Sequence, residues 1–204
     1  MFKRSFIALA AMATMASCHH ENKKYLHADT SNVSKDTLIG ANQLIVPGKS
    51  IGKTYINENV DSVMDQLGKP QQSDAAMGAA MNTWMHKTDT ATYQTDIYSH
   101  RNFGGKDEST SRVKIIRVTS PWFKTVERIH NGSLLDSITK YYQARYTANY
   151  ANGTDTLQIY DDIPQGIAFE VKQNKCAAIL VHIPKDSSAS YISMHPKMQF
   201  NRPK

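Results

Sequence analysis

Cysteine is scarce in this sequence, which contains only Cys18 and Cys176 among 204 residues. No C-x-x-C pair is present, so the spacing of a zinc or thiol-redox site is missing. If Cys18 is modified and cannot pair, Cys176 has no partner within the chain and no disulfide is expected. Cys176 opens the apolar run "CAAILVHI", which predicts a buried side chain rather than a reactive thiol.

Motifs of the common enzyme classes are also absent. The sequence contains no HExxH, no GxSxG and no phosphate-binding GxxxxGK. The best acid and base candidates are Asp161 and Asp162, next to Tyr160, with His130 and His182 elsewhere in the chain. Adjacent residues of a strand point to opposite faces, so the two carboxylates are not expected to act as a pair. We predict a solvated turn at "DDIP", no catalytic residue and no cofactor.

Long runs of basic residues are missing as well. The formal net charge of +6 is mild and spread along the chain, and no basic cluster with interleaved aromatics indicates a nucleic-acid surface. No nucleic acid is therefore expected as a partner, whereas an anionic envelope surface suits a basic protein. His19, His20 and His27 lie in a polar segment without the spacing of a closed metal site, so no metal is predicted.

The first 18 residues, "MFKRSFIALAAMATMASC", have the organisation of a secretory signal peptide: a basic start, an apolar run and small residues before a cysteine. The apolar run is too short to span a membrane. The segment resembles a bacterial lipoprotein signal, with Met15 where that signal usually has leucine. The resemblance implies a signal peptide over residues 1–17 and a lipid on Cys18 that anchors the protein to a membrane. The alternative is an ordinary cleaved signal that leaves Cys18 as a free thiol. The polar residues 18–48 are predicted to form a flexible tether.

A similar phrase occurs twice, as "VDSV" at residues 60–63 and "LDSI" at residues 135–138. In both copies apolar residues recur at helical spacing, and β-rich runs follow, with Asn152-Gly153 as a hairpin signal in the second. Residues 71–81 are ambiguous between a helical turn and a loop. We predict an α+β fold of two tandem repeats, each a short helical pair packed on an antiparallel β-meander. The predicted boundaries are 49–119 for the first repeat, 120–185 for the second and 186–204 for a C-terminal tail.

The stretch "IGKTYINENVDSVMDQLGKPQ", followed by "NTWMHK", resembles the opening of the small lipoproteins of the outer-membrane β-barrel assembly machinery. The doubled arrangement is similar to the β-lactamase-inhibitor protein fold. The resemblance covers residues 50–184 and rests on structural motifs, in which Gly68, Pro70, Gly132 and Gly166 mark turns and helix ends. It implies a scaffold for binding in the cell envelope and carries over no functional residue.

A sheet with helices on one face leaves its other face open for recognition, and side chains alternate between the two faces. Exposed tyrosines on such a face would act as anchors for a partner. The residues expected to point to the helices are Ile97, Leu157, Ile159 and Phe169. The candidate partner-binding residues on the open face are then Tyr98, His100, Tyr160, Glu170 and His182.

The sequence therefore predicts a lipid-anchored binding or scaffold protein of the cell envelope, which recognises an envelope protein through an exposed sheet face and performs no catalysis. It would be exported, anchored to a membrane, and periplasm-facing or in the outer membrane. The alternative is a divergent envelope hydrolase or transferase with a pocket between the repeats, where titratable groups would be perturbed. Trp84 is expected in the core and Trp122 in packing at the repeat junction.

Overall fold

A nine-stranded antiparallel sheet dominates the computed structural model, which describes residues 38–187 and 192–203. These residues form twelve strands and two short helices. From Leu38 onward the chain forms one compact unit. The predicted signal peptide, Cys18 and most of the predicted tether lie outside the described residues. Neither helix of the described part is long and apolar enough to cross a membrane.

The chain enters the fold through a small three-stranded sheet and the first helix. The strands are β1 (Ile45–Val46), β2 (Ser50–Ile51) and β3 (Thr54–Tyr55), and helix α1 spans Val60–Leu67. Asn59 caps the helix, because its side-chain oxygen accepts a hydrogen bond from the amide of Asp61 at 3.1 Å. Gly68 ends the helix with a positive φ of 80°. The predicted helix end at Gly68 is therefore confirmed.

The other nine strands form the large sheet, and helix α2 (Leu135–Tyr141) lies between its two groups of strands in the chain. Before α2 come β4 (Gln72–Ala76), β5 (Ala79–Lys87), β6 (Thr92–Arg101) and β7 (Ser111–Val118). After α2 come β8 (Arg145–Asn152), β9 (Asp155–Asp162), β10 (Ile167–Lys172), β11 (Lys175–His182) and β12 (Gln199–Asn201). The spatial order is β12-β8-β9-β10-β11-β7-β6-β5-β4, and each neighbouring pair is antiparallel.

The predicted fold class, an α+β protein of two helix-plus-sheet repeats, is wrong, because the described chain is mostly β. Strand β11 pairs with β7, with Ile179 opposite Val118, and this pairing joins the strands into one sheet. The predicted helical pair ahead of the first meander is a single helix preceded by the small sheet. The ambiguous residues 71–81 contribute β4 and the start of β5, joined by a turn in which Met77 and Gly78 have positive φ. Pairing between distant strands, which no local pattern encodes, decides the architecture.

Parts of the predicted tether and tail belong to the fold. Ile45, within the predicted tether, is 1% exposed, and its amide donates to the carbonyl of Lys124 at 2.8 Å. Strand β12, within the predicted tail, pairs with β8 and forms one edge of the large sheet. Both segments hold only a few apolar residues between polar ones, Leu44–Val46 in the first and Met198 and Phe200 in the second, and these are too few to reveal a strand.

The large sheet is covered on both faces. One face, here called the helix face, packs against α1, α2 and the small sheet around Val63, Ile138 and Phe169. The opposite face, here called the C-terminal face, is covered by the C-terminal segment (residues 192–200). The hydroxyl of the fully buried Tyr150 accepts a hydrogen bond from the amide of Met194 at 2.9 Å and so fastens this segment to the sheet. The expected open face is therefore largely occupied by the chain itself.

Cys176 lies in the core of the helix face, which confirms the prediction of a buried thiol. Burial raises the pKa of this thiol, so the reactive thiolate is disfavoured. Its Sγ donates to the carbonyl of Ala178 at 3.4 Å. The residue therefore packs as a small apolar side chain.

Candidate functional site

An aromatic cleft of about 660 Å³ opens where β5 ends and β6 begins, next to the C-terminal end of α1. Its lining combines four aromatic side chains with glutamine, serine and threonine. None of the described residues that line it is Asp, Glu, Lys or Arg. The lining residues are Leu67, Gln71, Trp84, Met85, His86, Thr88, Tyr93, Gln94, Thr95, Ser120, Trp122 and Phe123.

The register of β5 and β6 places one wall of the aromatic cleft. Trp84 lies opposite Thr95, and His86 lies opposite Tyr93. Because every second residue of a strand shares a face, these two pairs project to the same side of the sheet. The indole N–H of Trp84 donates to the carbonyl of Gly68 at 2.8 Å, which fixes the ring against the end of α1. Trp84 is 9% exposed, so its predicted place in the core is confirmed.

Trp122 forms the exposed wall of the aromatic cleft. Its amide donates to the hydroxyl of Ser120 at 3.2 Å, and its ring meets Phe123 edge to face, with 5.0 Å between the ring centroids. Despite this contact Trp122 is 48% exposed. Trp122 and Phe123 also line an adjoining hollow of about 320 Å³, which Ile51 and Lys53 border on the far side. The predicted packing role of Trp122 therefore explains the buried half of its side chain but not the exposed half.

Polar groups that line the aromatic cleft are amides, hydroxyls and the imidazole of His86. Gln71 accepts a hydrogen bond from the amide of Met85 at 2.8 Å through Oε1. The amide of Gln94 donates to the hydroxyl of Thr119 at 2.7 Å. These bonds tie the rim to the sheet, so the shape of the cleft exists before any ligand arrives. The arrangement suits an uncharged ligand that places apolar surface against the rings and hydrogen-bonds at the rim.

Three of the five predicted partner-binding residues are half-buried: Tyr98 and His100 lie two positions apart on β6, and Tyr160 lies on the distant β9. Tyr98 packs on the C-terminal face, where burial raises the pKa of its hydroxyl. The ring of His100 meets the edge of Phe103, with 5.8 Å between the centroids. Tyr160 packs on the helix face, and its ring lies 5.9 Å from that of Tyr146. The structure does not bring these residues together on one exposed surface.

Glu170 is fully buried, so its prediction as an exposed binding residue is wrong. The guanidinium of Arg117 donates to both carboxylate oxygens of Glu170, at 2.9 and 2.7 Å, and to Asp96 at 2.6 Å. His195, from the C-terminal segment, places Nε2 2.9 Å from Glu170. Burial alone would raise the pKa of Glu170, but the charge of Arg117 and the hydrogen bond with His195 lower it to about 2. We call these four side chains, Asp96, Arg117, Glu170 and His195, the ionic network.

His182 is also fully buried, which contradicts its prediction as an exposed binding residue. Its Nε2 lies 3.0 Å from a carboxylate oxygen of Asp161, and its Nδ1 lies 2.9 Å from the carbonyl of Ile183. Asp162 has a separate role, because it accepts a hydrogen bond from the amide of Gln143 at 2.8 Å. The two carboxylates thus have different partners, as predicted, but both are buried and "DDIP" is not a solvated turn.

The stability of the protein is expected to decline with rising pH because of His182. Burial disfavours the imidazolium, but the hydrogen bond and charge of Asp161 outweigh burial and raise the pKa of His182 above 6.5. A group whose pKa is higher in the folded protein stabilises the fold fully below its unfolded pKa. That stabilisation is lost as pH rises through the folded pKa. Urea unfolding between about pH 5 and 9 should show the decline, and His182→Gln should remove its histidine component.

The exposed His86 offers a matched control for the loss of an imidazole. His86→Gln should leave the decline with pH as it is in the unchanged protein, because the Asp161–His182 contact is intact. If His182→Gln and the unchanged protein lose stability with the same slope, another group is responsible for the pH dependence.

Neither the ionic network nor the aromatic cleft was predicted from the sequence. The network does have a local signal, because Arg117 and Glu170 each interrupt an apolar strand, whereas Asp96 lies in the mostly polar β6. A charge inside a strand that is otherwise buried must find a partner, so two such charges of opposite sign indicate an internal ion pair. The cleft has no comparable signal, because Trp84 and Trp122 come together only through strand pairing and the segment after β7.

Comparison with known proteins finds no match among protein-family models and none among curated proteins. Among solved structures, the chain is similar to an extracellular protein containing an SCP domain from Bacillus anthracis str. Ames, with a TM-score of 0.39 and 10% sequence identity. The match covers 73% of this chain and 50% of that chain, so the chain spans about half the length of that protein. A similarity of this degree indicates no function. The resemblance to β-barrel assembly lipoproteins and to the β-lactamase-inhibitor protein is not confirmed.

Proposed function

We propose that this protein is an exported, non-catalytic binding protein that takes an uncharged, apolar segment of an envelope protein in the aromatic cleft. The observation that carries the proposal is Trp122, which is 48% exposed at the wall of a preformed cleft. Large aromatic side chains that stay partly in water beside other rings are typical of recognition surfaces. The binding surface proposed is therefore the cleft and not the face of the sheet.

The composition of the aromatic cleft selects the chemistry of the ligand. Rings and the aliphatic side chain of Leu67 form the walls, and none of the described residues that line them is Asp, Glu, Lys or Arg. A charged group placed there would lose hydration without gaining a partner. Trp84 is already fixed by its bond to Gly68, so little side-chain freedom would be lost on binding. A segment rich in proline or leucine fits these walls best.

Export and membrane attachment belong to the same proposal. They rest on the leader sequence and on Cys18 as the lipidated residue, in a segment that resembles a lipoprotein signal. Residues 18–37 would then link the compact unit to a membrane, periplasm-facing or in the outer membrane. The mild positive charge favours proximity to an anionic surface.

The ionic network favours a second candidate, a divergent hydrolase or transferase. His195 contacts the buried Glu170 and lines a hollow of about 570 Å³ together with Ser73 and Ser193. An imidazole oriented by a carboxylate can serve as a general base for a nearby hydroxyl. In this structure, however, Ser193 directs its hydroxyl to the carbonyl of His195 at 3.3 Å, and Glu170 is already paired with Arg117. Binding therefore stands ahead of catalysis.

The proposal is tested by placing a photo-crosslinking amino acid at Thr88, on the rim of the aromatic cleft, in intact cells. We expect one envelope protein to be captured and then to bind the purified chain. Trp122→Ala should weaken that affinity at least about tenfold, because a central aromatic anchor is removed. Isothermal titration calorimetry with the identified protein provides the measurement.

Tyr141 supplies a matched control for this experiment. It is 49% exposed on α2 and does not line the cleft, so Tyr141→Ala should bind the partner with unchanged affinity. Equal affinity in Trp122→Ala and the unchanged protein would remove the cleft as the binding site. Conversion of the captured protein to a product, dependent on His195, would favour the second candidate instead.

A further inference from the structure

Strand β4 forms an edge of the large sheet, and all five of its residues, Gln72–Ala76, are exposed. Among the described strands it pairs only with β5. Edge strands carry backbone amide and carbonyl groups without partners, and proteins usually protect them with charged side chains, above all lysine, with proline or with a bulge. Strand β4 has no lysine, proline or bulge and carries a single charge, Asp74: its sequence is "QSDAA" and its pairing with β5 is regular.

A trough of about 670 Å³ runs along β4 on the side of α1. Ala75 and Ala80 form its floor, and Met64 and Phe103 form its sides. Alanine side chains leave the floor flat, so a bulky side chain from another strand could lie across it. The trough therefore provides a pocket at the position where an added strand would project every second side chain.

Asn82 supplies an independent sign that the trough is incomplete. It lines the trough, is 1% exposed, and accepts a hydrogen bond from the hydroxyl of Ser73 at 2.8 Å. Its Nδ2 is the only buried side-chain nitrogen or oxygen of the described residues that has no hydrogen-bond partner. A buried donor without an acceptor is unfavourable, because it has given up its hydrogen bond to water without a replacement.

The edge is held in strand geometry before any occupant arrives. The turn between β4 and β5 uses Met77 and Gly78, both with positive φ, which matches the twist of a two-residue hairpin. Phe103 packs over this turn so closely that a Cβ on residue 78 would lie 2.3 Å from its ring. An extended partner would therefore meet a fixed template, and little backbone freedom would be lost on this side of the contact.

We propose that β4 accepts an extended segment of a second protein as a tenth strand of the large sheet. Apolar side chains of that segment lie in the trough over Ala75, and a cationic side chain lies beside Asp74 on the opposite face. A second copy of this chain fits poorly, because pairing about the centre of β4 would place Asp74 against Asp74 of the copy. This site lies apart from the aromatic cleft and does not depend on the proposed function.

The probe for this site is the blocked peptide Ser-Thr-Leu-Lys-Leu-Thr-Ser, which places lysine opposite Asp74 and leucines toward the trough. Titrated into the 15N-labelled full chain, it should shift the NMR signals of β4 and slow amide exchange within residues 73–75. Ala75→Trp fills the trough and should weaken binding at least about tenfold, because the leucines lose their space. Asp74→Asn should weaken this peptide but not a version with glutamine in place of lysine.

Three outcomes would overturn the proposal. The first is the absence of any signal change at about 2 mM peptide, a concentration that detects even the weakest specific contacts. The second is equal binding of a peptide whose leucine amides are N-methylated, since strand addition requires those donors. The third is loss of binding in Trp122→Ala, which would assign the peptide to the aromatic cleft. The NMR spectrum of each variant reports directly whether it is folded.

Discussion

Replacing Arg117 by methionine is expected to destabilise the protein by about 3–5 kcal/mol, because two buried carboxylates would lose their cation. Arg117 is 4% exposed and makes three hydrogen bonds to Asp96 and Glu170. Methionine fills much of the same volume, so the loss reports charge rather than a cavity. Glu170 would have to take up a proton or remain charged without compensation. The free energy of unfolding in urea provides the measurement.

Strand β7 offers a matched control for this substitution. Arg112 pairs with Asp107 at 3.1 Å, but both side chains are about one-third or more exposed. Arg112→Met should therefore change stability by no more than about 1 kcal/mol. Adding Asp96→Asn and Glu170→Gln to Arg117→Met should recover part of the loss, because the uncompensated charges disappear. Similar losses for Arg117→Met and Arg112→Met would contradict the role assigned to the ionic network.

Features that depend on neighbouring residues were predictable from the sequence. The apolar spacing of Val60, Val63 and Leu67 predicts α1, which ends before Gly68 as expected. The hairpin of β8 and β9 forms around Gly153, with Asn152 opposite Asp155. Such features arise from side-chain periodicity and backbone preference within a few positions. The helix and the hairpin therefore form in the predicted places even though the predicted arrangement of the sheet is wrong.

The orientation of strand β9 shows why the faces of the sheet were not predictable. Leu157 and Ile159 were expected to point to the helices, but both pack on the C-terminal face, whereas Tyr160 packs on the helix face. The alternation of side chains along a strand defines its two sides, but it does not determine which side packs against the helices and which packs against the C-terminal segment. A second covering layer, the C-terminal segment, makes both sides apolar. The buried position of Glu170 follows from the same layer.

The candidate site could not be predicted from the sequence for a related reason. Trp84 and Trp122 lie 38 positions apart and share the aromatic cleft only because β5, β6 and the segment after β7 meet there. Nothing local distinguishes the buried ring from the half-exposed one, since each tryptophan sits among apolar and polar neighbours. The class of function, binding rather than catalysis, was proposed from missing catalytic motifs, and it stays a proposal.

Gly166→Ala is expected to destabilise the fold by about 3 kcal/mol, because three segments of backbone converge on this residue. Its amide donates to Asp162 at 2.9 Å, and its carbonyl accepts from His182 at 3.0 Å and from Gly48 at 3.1 Å. A Cβ on residue 166 would lie 2.4 Å from the carbonyl oxygen of His182. With φ at +72°, an alanine would also be strained. The turn between β9 and β10 would therefore separate from the end of β11.

Gly153→Ala isolates the conformational part of this effect. Gly153 has a φ of +60°, but a Cβ there would meet no atom within 4 Å. Its replacement should therefore destabilise the protein by about 1 kcal/mol from backbone strain alone. The difference between the two variants in urea unfolding measures the close approach of the three segments at Gly166. Equal losses would mean that these segments separate easily, and that the pairing of β9, β10 and β11 is what holds this end of the sheet.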